Sequence, residues 1–170
     1  CHRWNYKPTA FKKSHNGYCG LRNLGSTCYM NSILQQLFYN DDCRTAALEH
    51  QQNDNKFVSE IRRIFIQLAL SNQTSVDTEP FCNIWKEDDP YFSPRHQEDA
   101  EEFFHRLLSK LPKDVIATFE GKQTSKLKGI SVDFSKEVNE NFYLIPIPVK
   151  GYKSFADSVP TVYNPQMFTE

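Results

Sequence analysis

Apolar positions along this chain repeat with a helical period first and a strand-like texture afterwards. Met30, Ile33, Leu34, Leu37 and Phe38 fall at i, i+3, i+4, i+7 and i+8, one buried stripe of a helix predicted over 28–39. Residues 43–50 predict a short second helix, and 51–55 a polar loop. Phe57, Val58, Ile61, Ile64, Phe65 and Leu68 then predict a strongly amphipathic helix ending near Leu70. Beyond a polar connection at 71–78, Pro80 opens a short helical turn holding Phe81, Ile84 and Trp85. Asp89-Pro90 and Ser93-Pro94 punctuate the next loop. Ala100, Phe103, Phe104, Leu107, Leu108 and Leu111 trace a third strong helix, stopped by Pro112.

After Pro112 the pattern changes. Residues 119–125, 127–134 and 142–149 are short β-rich runs broken by Gly121, Gly129 and Gly151, and they predict antiparallel strands. Pro146 and Pro148 restrict the last to an edge or irregular strand. Helices first and strands afterwards predict an α+β architecture. The chain divides into a lead-in at 1–16 with aromatic anchors Trp4, Tyr6 and Phe11, a helical part at 17–112, and a strand-bearing part at 113–170.

Composition narrows the function classes. The 170 residues suffice for one respectable core, and 39% apolar with 24% charged content is ordinary for a globular domain. The net charge of −1 gives no reason to expect nucleic acid or an anionic membrane as partner. No apolar run is long enough to span a bilayer. Cys1, Cys19, Cys28, Cys43 and Cys82 are scattered, with no C-x-x-C pair. That spacing suits a reducing, intracellular compartment (cytoplasmic or nuclear) and supplies no metal set; no cofactor is expected. Because the first residue is Cys1, the chain is expected to begin inside a longer protein or to have lost its start.

Candidate chemistry concentrates at Gly20-Leu21-Arg22-Asn23-Leu24-Gly25-Ser26-Thr27-Cys28-Tyr29-Met30-Asn31-Ser32. Thr27 is the expected N-cap, placing Cys28 in the first turn of the first helix. A thiol there faces the positive end of the helix dipole and unpaired backbone N–H groups, surroundings that favour thiolate. The alternative for Cys28 alone is an inert, buried small hydrophobe. Asn23 alone reads as a turn residue before Gly25.

This segment resembles the cysteine box of the ubiquitin-specific proteases, papain-like deubiquitinases that read G-L-x-N-x-G-x-[ST]-C-[YF]-M-N-S-x-x-Q. The match runs from Gly20 through Gln35 without departure. The resemblance implies that Cys28 attacks the carbonyl after ubiquitin's terminal glycine and that Asn23 helps to form the oxyanion hole. Amide and helix N-terminal donors there would stabilise the charge that develops in the tetrahedral intermediate.

Downstream, Arg95-His96-Gln97-Glu98-Asp99-Ala100-Glu101-Glu102-Phe103-Phe104 resembles the family's Q-x-D-A-x-E-F-[FL] box. The resemblance implies that Gln97, Asp99 and Glu102 contact the ubiquitin tail, whose arginines suit carboxylates. Asp99 and Glu102 are expected on one helix flank; the plain alternative is a solvated acidic face with a Glu102–Arg106 pair. Residues 119–122 and 140–151 look like the start of the family's fingers and palm. The fold implied is papain-like but incomplete, a helical thumb followed by the first antiparallel strands. Many members bind structural zinc in the fingers; Lys128-Gly129-Ile130-Ser131 carries no cysteine, so no metal is expected in these residues. The Trp4-Tyr6-Pro8 lead-in followed by Gly17-Tyr18 is faintly similar to the large, fat-facets-like members.

A cysteine nucleophile of this class needs a histidine as general base. His2, His15, His50, His96 and His105 all lack the family's downstream G-H-[YF]-like context, so the base is expected outside these residues. The resemblance thus implies the N-terminal portion of a cysteine isopeptidase acting on ubiquitin and ubiquitinated proteins, the isolated chain hydrolysing little. The alternative is a naturally truncated, inactive relative that serves as a ubiquitin-binding or scaffold module. Oligomeric state is left open.

Overall fold

The computed structural model describes residues 17–51, 55–130 and 133–163, in two compact units, residues 1–118 and 119–170. The lead-in at 1–16 and its similarity to the large members lie outside the described residues. Architecture is α+β, as the residue pattern predicts.

In the first unit, β1 (Gly20–Leu21) pairs in parallel with β2 (Ser75–Val76), Gly20 opposite Ser75 and Leu21 opposite Val76. The ladder continues past both ends, Gly20 N–H donating to Thr74 O at 2.8 Å and Arg22 N–H to Val76 O at 2.9 Å. This short sheet fixes the chain leading into α1 (Cys28–Tyr39). Met30, Leu34 and Leu37 of the expected stripe are fully buried, while Ile33 and Phe38 are half-buried at its flanks. Asn40 ends α1 and caps α2 (Asp41–Glu49), its side chain accepting from Cys43 N–H at 2.9 Å.

Helix α3 (Lys56–Leu70) buries all six predicted residues, Phe57 to Leu68. Asn55 caps it, accepting from Phe57 and Val58 N–H, and its amide donates to Lys110 O at 2.7 Å, tying the cap to a distant loop. The expected short turn at Pro80 is a longer helix, α4 (Glu79–Asp88), with proline tolerated in its first turn. Its Trp85 forms the centre of an aromatic core. Phe57, Phe81, Phe92 and Phe103 surround the indole at ring-centroid distances from 4.8 to 6.4 Å. Rings at these separations add packing energy beyond their buried area.

Helix α5 (Ala100–Leu108) ends before Leu111, where the apolar spacing had extended it. A residue preceding proline is disfavoured in helical geometry, so Leu111 must leave the helix ahead of Pro112. The last turn tightens instead, Lys110 N–H bonding Leu107 O and Leu111 N–H bonding Leu108 O, and Leu111 stays buried. A one-turn helix, α6 (Lys113–Ile116), then buries Val115 and Ile116 within the same unit.

The second unit carries a hairpin, β3 (Gly121–Lys128) antiparallel to β4 (Ser135–Phe142), with Gly121 opposite Phe142 and Lys128 opposite Ser135. Two of the three predicted strands are therefore redrawn. β3 runs on through Leu127, and the reversal begins at Gly129, whose N–H donates to Phe134 O at 2.8 Å. Its partner is a polar stretch with one β-branched apolar residue, Val138, so its sequence carries little strand signal. Cross-strand pairs hold it: Lys126–Glu137 at 2.7 Å, Thr124–Asn139 at 2.7 Å and Gln123–Glu140 at 3.4 Å. The run at 143–149 is not a strand, since Pro146 and Pro148 have no N–H for a ladder. The sequence pattern also gave no sign of α7 (Phe155–Val162), capped by Ser154 and containing Pro160.

Candidate active site

Cys28 is the first residue of α1 and is exposed, whereas Cys19, Cys43 and Cys82 are buried. Burial pushes the thiols of Cys43 and Cys82 up to about 11, Cys82 further opposed by Asp77 and Glu79. Accessibility thus singles out Cys28 among the described cysteines. Asn31 N–H makes the first bond of the helix, to Thr27 O at 2.9 Å. The N–H groups of Cys28, Tyr29 and Met30 precede it and have no acceptor within the helix.

The loop before Cys28 is built on Asn23. Its side-chain carbonyl accepts from Gly25 N–H at 3.0 Å, Thr27 N–H at 3.2 Å and the Thr27 hydroxyl at 3.2 Å. Thr27 is the N-cap by position, but its hydroxyl does not cap the helix. It is fully buried, donating to Asn23 and accepting from Leu24 N–H at 3.1 Å. Asn23 is therefore the turn residue its local sequence indicates, and the same three bonds leave its exposed Nδ2 donor unclaimed among the described residues. Two other polar residues of the box hold the strand to the helix: Asn31 Nδ2 donates to Arg22 O at 3.2 Å and Gln35 Nε2 to Cys19 O at 3.5 Å.

Gly25 adopts φ +141°, and a Cβ there would lie 3.1 Å from Pro94 O, so the loop needs glycine on both counts. Next to it, Ser26 N–H donates to Pro94 O at 2.7 Å. The loop of the cysteine box is thus bonded through backbone to the residue just before the acidic box. Behind this seam the Tyr29 ring packs edge-on against Phe103 of α5, centroids 5.4 Å apart.

Asp99 is not on the helix flank but is the N-cap of α5, one carboxylate oxygen accepting from Glu101 N–H at 2.7 Å and Glu102 N–H at 3.2 Å. The D-x-x-E spacing of Asp99 and Glu102 is a capping signature that could have shown this from sequence. Gln97, Asp99 and Glu102 are all exposed around the start of α5. The Glu102–Arg106 pair does not form; Arg106 pairs with Asp89 at 2.5 Å and Glu98 at 3.6 Å, and lies over Trp85 at 5.2 Å. Glu98 sits between Gln97 and Asp99 and is half-buried, near Tyr29. Burial, and then the Glu98 carboxylate, push the Tyr29 phenol above its ordinary range. No feature of the one-dimensional pattern indicated the Glu98–Arg106–Asp89 cluster, because its members meet only across a loop.

Of the histidines, His50 has the most defined setting. Its Nδ1–H donates to Asp114 at 2.7 Å, its side chain is 8% exposed, and Nε2 is buried without a partner among the described residues. The Asp114 carboxyl is held below its usual range, chiefly by that hydrogen bond. The pair joins the C-terminal end of α2 to α6. His96 and His105 are exposed. Among the described residues no cluster of three His, Cys, Asp or Glu side chains could hold a metal ion, and no helix is long and apolar enough to cross a membrane.

Comparison with known proteins decides the family. A family model described as ubiquitin carboxyl-terminal hydrolase matches residues 19–144, which include both boxes. The chain belongs to the ubiquitin carboxyl-terminal hydrolase family. It is 32% identical over 167 residues to ubiquitin carboxyl-terminal hydrolase 7 of Drosophila melanogaster, covering 86% of this chain and 14% of that protein. With human ubiquitin carboxyl-terminal hydrolase 34 identity is 26% over 172 residues, 95% of this chain and 5% of the relative. With human ubiquitin carboxyl-terminal hydrolase 35 it is 36% over 108 residues, 62% of this chain and 10% of the relative. The chain therefore spans a small part of the relatives it matches.

Proposed function

We propose that this chain carries the nucleophile and the tail-binding segment of a cysteine-dependent isopeptidase that removes ubiquitin from lysine side chains. The observation that supports it most is the exposed Cys28 thiol at the start of α1, beside a loop bonded to Pro94, in the loop that leads into the Gln97–Glu102 segment. Cys28 sulfur adds to the carbonyl carbon of ubiquitin's last glycine. The oxyanion is met by Asn23 Nδ2 and the Cys28 backbone N–H, donors left unclaimed among the described residues. The C–N bond breaks, the lysine amine leaves with a proton from a histidinium, and a thioester remains. Water, deprotonated by the same histidine, then releases the ubiquitin carboxylate and restores the thiol.

The histidine is supplied from outside these 170 residues. His50 is engaged by Asp114, and His96 and His105 are exposed, with no orienting partner of the kind a base requires among the described residues. The isolated chain accordingly hydrolyses little. Gln97, Asp99 and Glu102 receive the basic tail, their exposed polar groups clustered at the α5 N-terminus.

The test is covalent trapping. Full-length protein treated with ubiquitin bearing a C-terminal propargylamide should gain one ubiquitin, mapped by peptide mass spectrometry to Cys28. Labelling of another cysteine overturns the assignment. Ubiquitin binding without labelling or hydrolysis points to the alternative, a non-catalytic binding module.

A further inference from the structure

We propose that Arg106 is a positioning residue for the ubiquitin tail, its guanidinium stapling the two ends of the loop before α5 so that Gln97 and Asp99 are held against the helix that carries Cys28. The inference rests on the deubiquitinase reading above and concerns a residue that touches neither the thiol nor the tail.

The loop joining α4 to α5 starts at Asp89 and reaches Asp99, the cap of α5. Its own backbone bonds are local turns, Phe92 N–H to Asp89 O and His96 N–H to Ser93 O, both at 3.0 Å. Such turns set local shape; Ser26 N–H on Pro94 O ties the middle of the loop to the Cys28 loop. Arg106, two turns into α5, ties down its two ends. One nitrogen pairs with Asp89 at the loop's start at 2.5 Å, and another lies 3.6 Å from Glu98 at its end. The guanidinium rests 5.2 Å above Trp85, a ring only 2% exposed and closed in by four phenylalanines. Its floor is thus rigid. A planar cation with several donors can hold two carboxylates at once, which a lysine ammonium on a flexible stem does poorly.

Glu98 makes the consequence specific. It is flanked by Gln97 and Asp99, both exposed, while its own carboxylate lies near the Tyr29 phenol. Tyr29 directly follows Cys28 on α1. The Glu98 side chain is a quarter exposed, and Arg106 is the cation that faces its carboxylate within the fold. Without it Glu98 gains by turning to water, and the flanking side chains turn with it. The Trp85 core stays filled by its aromatic neighbours, so the fold persists while the tail-binding segment loses its orientation.

Steady-state hydrolysis of a ubiquitin C-terminal aminomethylcoumarin amide by the full-length protein tests this. Arg106→Gln should raise KM about tenfold, with kcat changed less than about twofold. Alkylation of Cys28 by iodoacetamide should keep its rate. Arg106→Lys should leave KM raised, because one ammonium does not bridge both carboxylates. Glu98→Gln should raise KM too, and the double variant should match Arg106→Gln rather than add to it. An unmoved KM in Arg106→Gln, full recovery in Arg106→Lys, or additive effects with Glu98→Gln each overturns the inference. So does a fall in kcat with slowed alkylation, the mark of general structural damage. No hydrolysis by the wild type would instead sink the deubiquitinase reading, and the inference with it.

Discussion

Ser26 N–H donates to Pro94 O at 2.7 Å, joining the loop before Cys28 to the loop before Asp99. Backbone rather than side chains makes this bond, so its strength is independent of which residues occupy the two positions. It places the candidate nucleophile and the candidate tail contacts in one frame, reinforced behind by Tyr29 against Phe103. A shift of either loop changes the geometry of both boxes.

Cys28→Ala should lower hydrolysis of a ubiquitin amide by the full-length protein by at least about 10⁴-fold, the scale for removing a nucleophile. Cys43→Ala should retain turnover, since that thiol is buried and burial pushes it up to about 11. Equal loss in both variants, with folding preserved, counts against Cys28.

Asn23 combines two roles that substitution can separate. Asn23→Asp keeps an oxygen for the Gly25 and Thr27 donors but removes the Nδ2 donor. The fold should hold while kcat drops about 10²- to 10³-fold, the usual cost of one oxyanion donor. Asn23→Ala should also lose about 1–3 kcal/mol of stability, because the donors around a buried Thr27 go unmet. Thermal melting and kcat, measured on both, check this; an unchanged kcat in Asn23→Asp removes Asn23 from the oxyanion hole.

At Asp99 the cap and the charge separate in the same way. Asn is as good an N-cap as Asp, so Asp99→Asn should melt like the wild type yet raise KM for ubiquitin by weakening attraction to a basic tail. Asp99→Ala should lose about 1 kcal/mol as well. If Asp99→Asn leaves KM unchanged, the carboxylate serves the helix alone.

The His50–Asp114 pair predicts an acid response. His50 holds the Asp114 carboxyl below its ordinary range. A depressed folded-state value contributes stability that is present above the unfolded-state value, about pH 4, and is lost as pH falls through the folded one. Asp114→Asn removes this contribution, so its melting temperature should start lower at neutral pH and fall less steeply below about pH 4. The carboxylate is half exposed, so the difference is small. Superimposable melting profiles between pH 2 and pH 7 would falsify the assignment.

Local spacing alone made much of the first unit legible. The 3.6-residue period located α1 and α3 with their buried faces, because a helix must turn its apolar stripe to a core wherever that core lies. The spaced residues of the two boxes identified the family and put Cys28 at a helix start, which is also a local property. Strand β4 escaped notice because its stability comes from cross-strand partners rather than from its own apolar pattern.

The sequence by itself therefore determined the α+β class, the family and the residues that form the two boxes. Tertiary structure decided what each residue does within them. Of four described cysteines it buried three and exposed Cys28. It turned Asp99 into a cap, made Asn23 the hub of a turn, and drew Arg106 away from Glu102 to Asp89 and Glu98. Burial and ion pairing depend on which chain segments meet in space. Periodicity reports only how a segment presents its own faces.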